Sequence, residues 1–214
     1  MCKEEEVEDI WSKALENPIE PILVKDGEAQ DVVYQGEELT QRGGLYMLPI
    51  PISTPGFDNA PYLTAGCWIT KDPDNGVRNM GVYRGQIKGP LKTSIMWGSL
   101  KHTAIHWEKC NERGVPLDAA IVIGGPPCIT YAAVQPVPYG VDEVALAGGL
   151  ARSPLEMVKC KTVDLEVPAH ADIVIEGRIP SDYLEPDGPF GEAHGYLDPG
   201  DLNGVFEVTC ITHK

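Results

Sequence analysis

Basic residues, paired cysteines and long apolar runs are all scarce in this sequence. Only 17 of its 214 residues are Lys or Arg, against 32 Asp or Glu, for a net charge of −15. Binding a polyanion needs basic patches, and none is visible, so nucleic acid and anionic membrane surfaces are poor partners. The longest strongly apolar run, near Ala119 to Ile123, is far short of the roughly 20 residues that span a bilayer. The opening Met-Cys-Lys-Glu-Glu-Glu is acidic where a secretory leader would be basic. The chain therefore reads as soluble and cytoplasmic. Its six cysteines, at 2, 67, 110, 128, 160 and 210, form no CxxC pair, which excludes zinc-ribbon and thioredoxin readings and leaves free, buried thiols. No GxSxG elbow, Walker loop or GxGxxG turn is present.

Glycine and proline, by contrast, are plentiful. The 23 glycines and 19 prolines make up about a fifth of the chain, against a usual ~12%. That composition predicts short strands and many turns. Residues 4–16 form the clearest helical pattern, with Val7, Ile10, Trp11, Ala14 and Leu15 on one face. Short β-type runs stand at Ile22 to Val24 and Val32 to Tyr34. The three prolines of residues 47–56 predict an extended surface segment. Tyr62 to Thr70 and Val77 to Ile87 flank Asp72-Pro-Asp-Asn-Gly76, a strong turn signal, and predict a hairpin. Further helices are expected over 100–113 and 141–150, and strands over 119–123, 157–163, 171–178 and 205–211. The chain stops three residues after that last apolar strand, which reads as a sheet expecting a partner or further chain.

Four constellations could carry chemistry. Asp187-Gly-Pro-Phe-Gly-Glu192 places two carboxylates in a tight Gly/Pro loop, with His194 two residues on. Such a pair can separate in pKa and donate a proton; the plainer reading is an acidic surface turn. In Asn79-Met-Gly-Val-Tyr-Arg84, a regular strand would send Asn79 and Arg84 to opposite faces, and a bend at Gly81 would bring them together. The plainer reading is a polar strand edge. His102 and His106 stand at i, i+4 on a helix, but position 103 holds no Glu, so the zincin pattern is missing. One buried and one exposed histidine is the simpler expectation. Glu143 alone reads as a helix-start carboxylate.

In order and spacing, these pieces resemble the UbiD family of reversible decarboxylases. The likeness runs from Pro49-Ile-Pro-Ile through Pro61-Tyr-Leu-Thr-Ala-Gly66, Thr70-Lys-Asp-Pro and Arg78-Asn-Met-Gly-Val-Tyr-Arg84. It continues with Gly124-Gly-Pro-Pro127, Pro136-Val-Pro-Tyr-Gly-Val-Asp-Glu143 and Glu156-Met-Val-Lys-Cys160. It closes with Val167-Pro-Ala, Ile175-Glu-Gly, Asp187-Gly-Pro-Phe-Gly-Glu-Ala-His-Gly195 and Ile211-Thr-His.

The resemblance implies a β-rich α+β fold, a split β-barrel of the flavin-reductase-like, FMN-binding type with flanking helices. It treats 1–214 as one cofactor-binding domain, with residues 1–20 an N-terminal helix and 21–214 the core. The family's N-terminal segment, C-terminal domain and a lysine near the cofactor have no counterpart in it. It implies prenylated FMN, supplied by a flavin prenyltransferase, with the phosphate held through Mn²⁺ (or Mg²⁺) and K⁺ nearby. Matching motif to motif, Asn79, His102 and Glu143 would be the metal ligands. The cofactor would lie along Asn79, Met80, Gly81, Val82, Tyr83 and Arg84 and against Lys101, His102 and Glu143. Arg84, Asp187 and Glu192 would form the catalytic set: Arg84 clamps the substrate carboxylate and pairs with Asp187, and Glu192 delivers the proton. Asp187 stands where Glu is more common, one methylene shorter. The implied activity is reversible non-oxidative decarboxylation of an aromatic or α,β-unsaturated carboxylic acid, in a homo-oligomer or with a partner subunit. Two other readings compete. One is a non-catalytic or partial cofactor-binding subunit that needs a partner chain. The other is a flavin-reductase-like redox protein using ordinary FMN.

Overall fold

Short β-branched runs separated by Gly/Pro turns give strands that can hydrogen-bond only by folding back on one another. The computed structural model describes residues 6–98 and 101–214. In chain order the elements are α1 (Val7–Glu16), β1 (Ile22–Leu23), β2 (Val32–Gln35), α2 (Gly36–Gln41), β3 (Tyr62–Leu63), β4 (Cys67–Lys71), β5 (Arg78–Val82), β6 (Gly85–Gly89) and β7 (Lys92–Ile95). Then come α3 (His102–Glu112), β8 (Leu117–Ile123), α4 (Pro127–Val134), α5 (Glu143–Ala151), β9 (Glu156–Lys159) and β10 (Glu166–Pro168). The last are β11 (Ile173–Ile179), β12 (Leu184–Asp187), β13 (Phe190–Gly191), β14 (Leu197–Asp198) and β15 (Asp201–His213).

The main sheet follows the path β3-β6-β7-β15-β11-β8-β4-β5, with β2 and β12 also on β15. Both ends of this path belong to one hairpin. β3 and β4 are successive pieces of its first arm, and β5 and β6 of its second; β4 pairs with β5 and β3 with β6. The arms stop pairing between Leu63 and Cys67 and between Val82 and Gly85. The sheet therefore turns on itself without a continuous closed ladder. The expected hairpin over 62–87 is present, but each arm is broken. Gly66 and Gly85 permit the break: a Cβ would stand 2.5 Å from the Ile121 methyl at the first and 2.6 Å from the Ser94 carbonyl at the second.

Strand alternation makes two cores. Trp68, Ile121, Ile175 and Phe206 point to one side, and Ile69, Ala120, Val122 and Val174 to the other. The first cluster lies within the curve of the sheet. The second is covered by α4, α5 and the small β1-β9-β10 sheet, through Ile129, Ala132, Val144, Leu146, Met157 and Val167. This explains the unbroken apolar run of β8, which is buried on both faces.

Several expectations need correction. The apolar stripe of α1 is mostly not buried: only Ala14 is, Val7 and Leu15 are exposed, and Trp11 packs edge-on against Tyr131 of α4. α4 starts inside the expected Gly-Gly-Pro-Pro loop, because proline suits a first helical turn. The polar stretch after β11 contains β12, an edge strand that tolerates Pro186. Of the cysteines, Cys67, Cys110 and Cys210 are buried, Cys128 and Cys160 half-buried, and all five are free. Cys2, the first residues of the 4–16 helix pattern and residue 100 of the 100–113 pattern lie outside the described residues. No described helix is long and apolar enough to cross a membrane.

Trp68 couples the core to the break in the hairpin. Its Nε1–H donates to the Tyr83 carbonyl at 2.9 Å, at the interruption of the second arm. Trp68→Phe keeps a ring in the core but strands that carbonyl. Urea unfolding should show a loss of about 1–3 kcal/mol.

Candidate functional site

Two groups of polar side chains sit at the two ends of the stretch Asn79–Arg84. The first joins β5 to the starts of α3 and α5. Asn79 is buried, and its Nδ2 donates to Thr103 Oγ1 at 2.9 Å. This turns Oδ1 toward His102 Nδ1, 3.1 Å away. Glu143 is the first residue of α5 and is also buried; Oε2 accepts the Met80 N–H at 2.8 Å, and Oε1 lies 3.8 Å from His102 Nδ1. Asp142 starts that helix by accepting the Val144 N–H at 2.9 Å, a standard N-cap. Burial pushes the Glu143 carboxyl up to about 7, outweighing the backbone donors that favour its charge. Burial, and then the positive charge of Lys101, lower His102 below the usual histidine value.

An outer network steadies α3. The Tyr139 ring stands edge-on to His102 and His106, at 5.2 and 5.8 Å. Its hydroxyl donates to Asp72 at 2.6 Å, and Lys109 Nζ meets both Asp72 oxygens at 2.8 Å. His106 is buried and contacts Thr70 Oγ1 at 2.9 Å; burial drops its pKa to about 4. Of the expected buried and exposed histidines, His106 is the buried one, while His102 is half-buried rather than exposed.

Beside this group lies a cleft of about 430 Å³, lined by residues 80–83, Lys101, His102, residues 133–137 and Glu143. A larger hollow of about 590 Å³ between α1 and the end of α5 holds none of these groups. Gly81 is the low point of the cleft wall: a Cβ there would lie 2.6 Å from the Tyr83 hydroxyl, so the Tyr83 ring lies over it.

The second group surrounds Arg84. Nη1 donates to Glu192 Oε1 at 2.6 Å and Nη2 to Asp198 Oδ2 at 2.8 Å, and the guanidinium carbon lies 4.6 Å from the centre of the Phe190 ring. The Arg84 side chain is 9% exposed and that of Glu192 31%. Nε is buried and, among the described residues, finds no acceptor. The expected pairing of Arg84 with Asp187 is not what the structure holds. Asp187 ends β12 facing inward, where Ser94 Oγ donates to it and the Tyr62 hydroxyl donates at 3.3 Å. Asp198, in register with Phe190 on β14, takes the place at Arg84, and the guanidinium holds its carboxyl below the usual value. Burial and the Asp187 charge push the Tyr62 phenol up. Loop 187–198 is pinned from outside: the Asp58 carboxylate accepts the Gly191 N–H, and Asn59 Nδ2 donates to the Gly188 carbonyl, both at 2.8 Å.

Gly81 pairs in register with Trp68, and the ladder stops only at Tyr83–Arg84. Asn79 and Arg84, expected in one site, instead serve separate groups, Asn79 with His102 and Glu143 and Arg84 with Glu192 and Asp198. Arg84, Asp187 and Glu192 are outside the lining of the cleft. Sequence reasoning missed Asp198 and Tyr139; a turn signal, Asp198-Pro-Gly, is the one hint of the first.

Among the described residues, no group of three or more His, Cys, Asp or Glu could hold a metal ion. The cluster at Asn79 contains one His, one Glu and an amide. Asn79 Oδ1 and Glu143 Oε1 both lie within 4 Å of His102 Nδ1, and that donor set suits Mn²⁺ or Mg²⁺ rather than a thiolate-bound metal. The residues thus fit a hard divalent cation.

Comparison with known proteins places the chain. Residues 23–214 match the UbiD family, 3-octaprenyl-4-hydroxybenzoate carboxy-lyase Rift-related domain, and the chain belongs to that family. It is 40% identical over 195 residues to an uncharacterised protein of Aquifex aeolicus, a match covering 91% of this chain and 39% of that protein. It resembles the UbiD-class enzyme HmfF from Pelotomaculum thermopropionicum in complex with FMN, with a TM-score of 0.91 and 39% identity over 98% of this chain and 46% of HmfF. An evolved dimeric form of HmfF in complex with prFMN superposes with a TM-score of 0.89, at 37% identity over 98% of this chain and 48% of that one. Vanillic acid decarboxylase of Sedimentibacter hydroxybenzoicus in its closed form superposes with a TM-score of 0.90, at 27% identity over all of this chain and 46% of that one. The chain thus spans less than half the length of these relatives.

The two buried titrating groups act on stability with opposite signs. Glu143 has a raised folded pKa, so its stabilising contribution is full below about 4.5 and is lost as pH rises through about 7. His106 has a depressed one, so its contribution is full above about 6.5 and is lost as pH falls toward 4. In metal-free protein, Glu143→Gln should raise unfolding stability above pH 7 by up to about 3 kcal/mol and change little below pH 4.5. Denaturant melts at pH 4.5 and 7.5 check this.

Proposed function

We propose that this chain is the cofactor-binding domain of a reversible carboxy-lyase that decarboxylates an aromatic or α,β-unsaturated carboxylic acid with prenylated FMN. The observation that carries the reading is one strand run with Arg84 against Glu192 at one end and Asn79 against His102 and Glu143 at the other. Its relatives with FMN and prFMN bound support the cofactor class. The ring of ladders joined through the broken hairpin supports reading residues 21–214 as a split barrel, with α1 (Val7–Glu16) at its side.

Asn79, His102 and Glu143 would hold Mn²⁺ or Mg²⁺, and through it the cofactor phosphate; a cation would also offset the local negative charge. K⁺ would be an accessory ion. Residues 79–84, with Lys101, would bed the flavin. When bound, prenylated FMN supplies the electron sink for the pair left on carbon as CO₂ departs. The protein's part is to bind, orient and protonate. Arg84 would hold the substrate carboxylate, because a guanidinium edge matches a carboxylate bidentately. Glu192, in its protonated form, gives its proton to the carbon that lost CO₂ and is reprotonated from solvent, which its exposure allows. In the reverse direction its carboxylate takes that proton back. Asp187, held by Ser94 and Tyr62, shapes loop 187–198, and Asp198 steadies Arg84. A flavin prenyltransferase would supply the cofactor in the cytoplasm, and a second copy or partner subunit would complete the assembly.

Two experiments test this. Protein co-expressed with a flavin prenyltransferase and purified without oxygen should show, by native mass spectrometry, prenylated FMN plus a divalent ion. Plain FMN points to the redox reading, and an empty chain to a partial subunit that needs a partner. In the loaded protein, or the loaded complex, Glu192→Gln should keep the bound mass but lower turnover by at least about 10²-fold. Unchanged turnover would remove Glu192 as the proton donor.

A further inference from the structure

The residues just before Asn79 and just before Glu143 grip each other. Arg78 Nε and Nη2 both donate to one oxygen of Asp142, Oδ2, at 2.9 and 2.6 Å. The other oxygen, Oδ1, is the N-cap acceptor of α5. One carboxylate thus ties the start of β5 to the start of α5. Both side chains are mostly buried, 18% and 17% exposed, where an ion pair is screened far less than at a surface. Arg78 Nη1 also reaches Glu166 Oε2 at 3.4 Å, and Lys71 Nζ holds the other Glu166 oxygen at 2.9 Å, so the guanidinium is fixed from a third element, β10.

This grip has a geometric consequence. Asn79 and Glu143 come from elements far apart in sequence, and they must present Oδ1 and Oε1 to one point beside His102. The Met80 N–H bond to Glu143 sets the height of the carboxylate along β5, but nothing in it fixes how close α5 stands to the strand. α5 and β5 share one apolar core through Met80, Val144, Leu146 and Ala147, and the Arg78–Asp142 pair adds a polar tie between them, one residue upstream of both donors. We propose that Arg78 and Asp142 are positioning residues that set the Asn79–Glu143 separation and so the affinity of the site for a divalent cation. The proposal rests on reading Asn79, His102 and Glu143 as a cation site.

The test measures Mn²⁺ alone, by calorimetry and by the electron paramagnetic resonance of the bound ion, on the full chain without flavin. Arg78→Met removes the fork while keeping the length of the arm. Asp142→Asn removes the charge while keeping an N-cap oxygen, so it guards against simple unfolding of α5. Each should weaken Mn²⁺ binding about ten- to a hundredfold, the range typical of residues that orient metal ligands. Arg78→Lys should recover part of the loss. Arg178→Met, which breaks the separate Arg178–Asp118 bridge, should bind Mn²⁺ as the parent does. A loss below about threefold in folded Arg78→Met and Asp142→Asn overturns the proposal even if their melting temperatures fall, because the pair would then be merely structural. If the parent itself binds no Mn²⁺, the cation reading fails and the clamp is judged by amide exchange. Met80 N–H exchange at least about tenfold faster in both variants than in the parent supports the clamp, and a smaller change overturns it.

Discussion

The hydrogen bond from Trp68 Nε1 to the Tyr83 carbonyl governs where the long hairpin stops being a hairpin. Upstream, β4 and β5 pair in regular antiparallel register; downstream, β3 and β6 resume. At the gap, Tyr83 and Arg84 have no strand partner, and the buried indole satisfies the carbonyl that would otherwise be orphaned. Trp68 can do this because it is fully buried inside the curve of the sheet, with its ring edge-on to Phe206 at 5.1 Å. The core therefore determines the bend, and the bend determines that Asn79 and Arg84 serve separate groups.

Charge is handled differently at the two ends of this run. At Arg84, two carboxylates face one guanidinium, so the local excess is negative and the arginine is held from both sides. At Asn79, no cationic side chain within salt-bridge reach offsets Glu143 among the described residues apart from His102, whose own charge is disfavoured by burial. An acidic protein thus keeps a buried carboxylate without a firm cationic partner. Such a group costs stability unless something positive meets it, as sites shaped for a ligand often do. Around it the ties are strong: Arg78–Asp142 joins β5 to the start of α5, and Lys109 and Tyr139 join α3 and the loop before α5 to Asp72 in the β4–β5 turn.

Much of this is legible from residues alone because each motif is local. Asp72-Pro-Asp-Asn-Gly76 announces its turn, Asp142-Glu143 its helix start, and the apolar run at Ala119 its buried strand. The grouping of Asn79, His102 and Glu143, and of Arg84 with Glu192, comes from a resemblance in order, and no periodicity contains it. What is not legible depends on distant partners. The choice of Asp198 over Asp187 at Arg84 turns on which way β12 faces, and that is decided by Ser94 on β7. The periodicity of α1 overstates its burial because its stripe meets α5 only where Gly148 and Gly149 allow close approach, near Ala14, Asn17 and Ile19. α4 is hidden because Gly-Gly-Pro-Pro reads as loop until the second proline is seen to begin a helix.

β15 hydrogen-bonds to four other strands, β2, β7, β11 and β12, and so joins more of the fold than any of its neighbours. Its register joins Ile211 to Tyr34, across most of the sequence. A ribosome delivers β2 and β7 long before this strand. Until it emerges, β2, β7 and β11 each carry an unsatisfied edge, and the curved core has no wall on that side. Folding must then wait on a single late event that closes several long loops at once, the regime of high contact order and slow assembly. While β15 is unpaired, those strand edges could pair with a neighbour, which makes the docking of β15 a matter for chaperones as well as for stability.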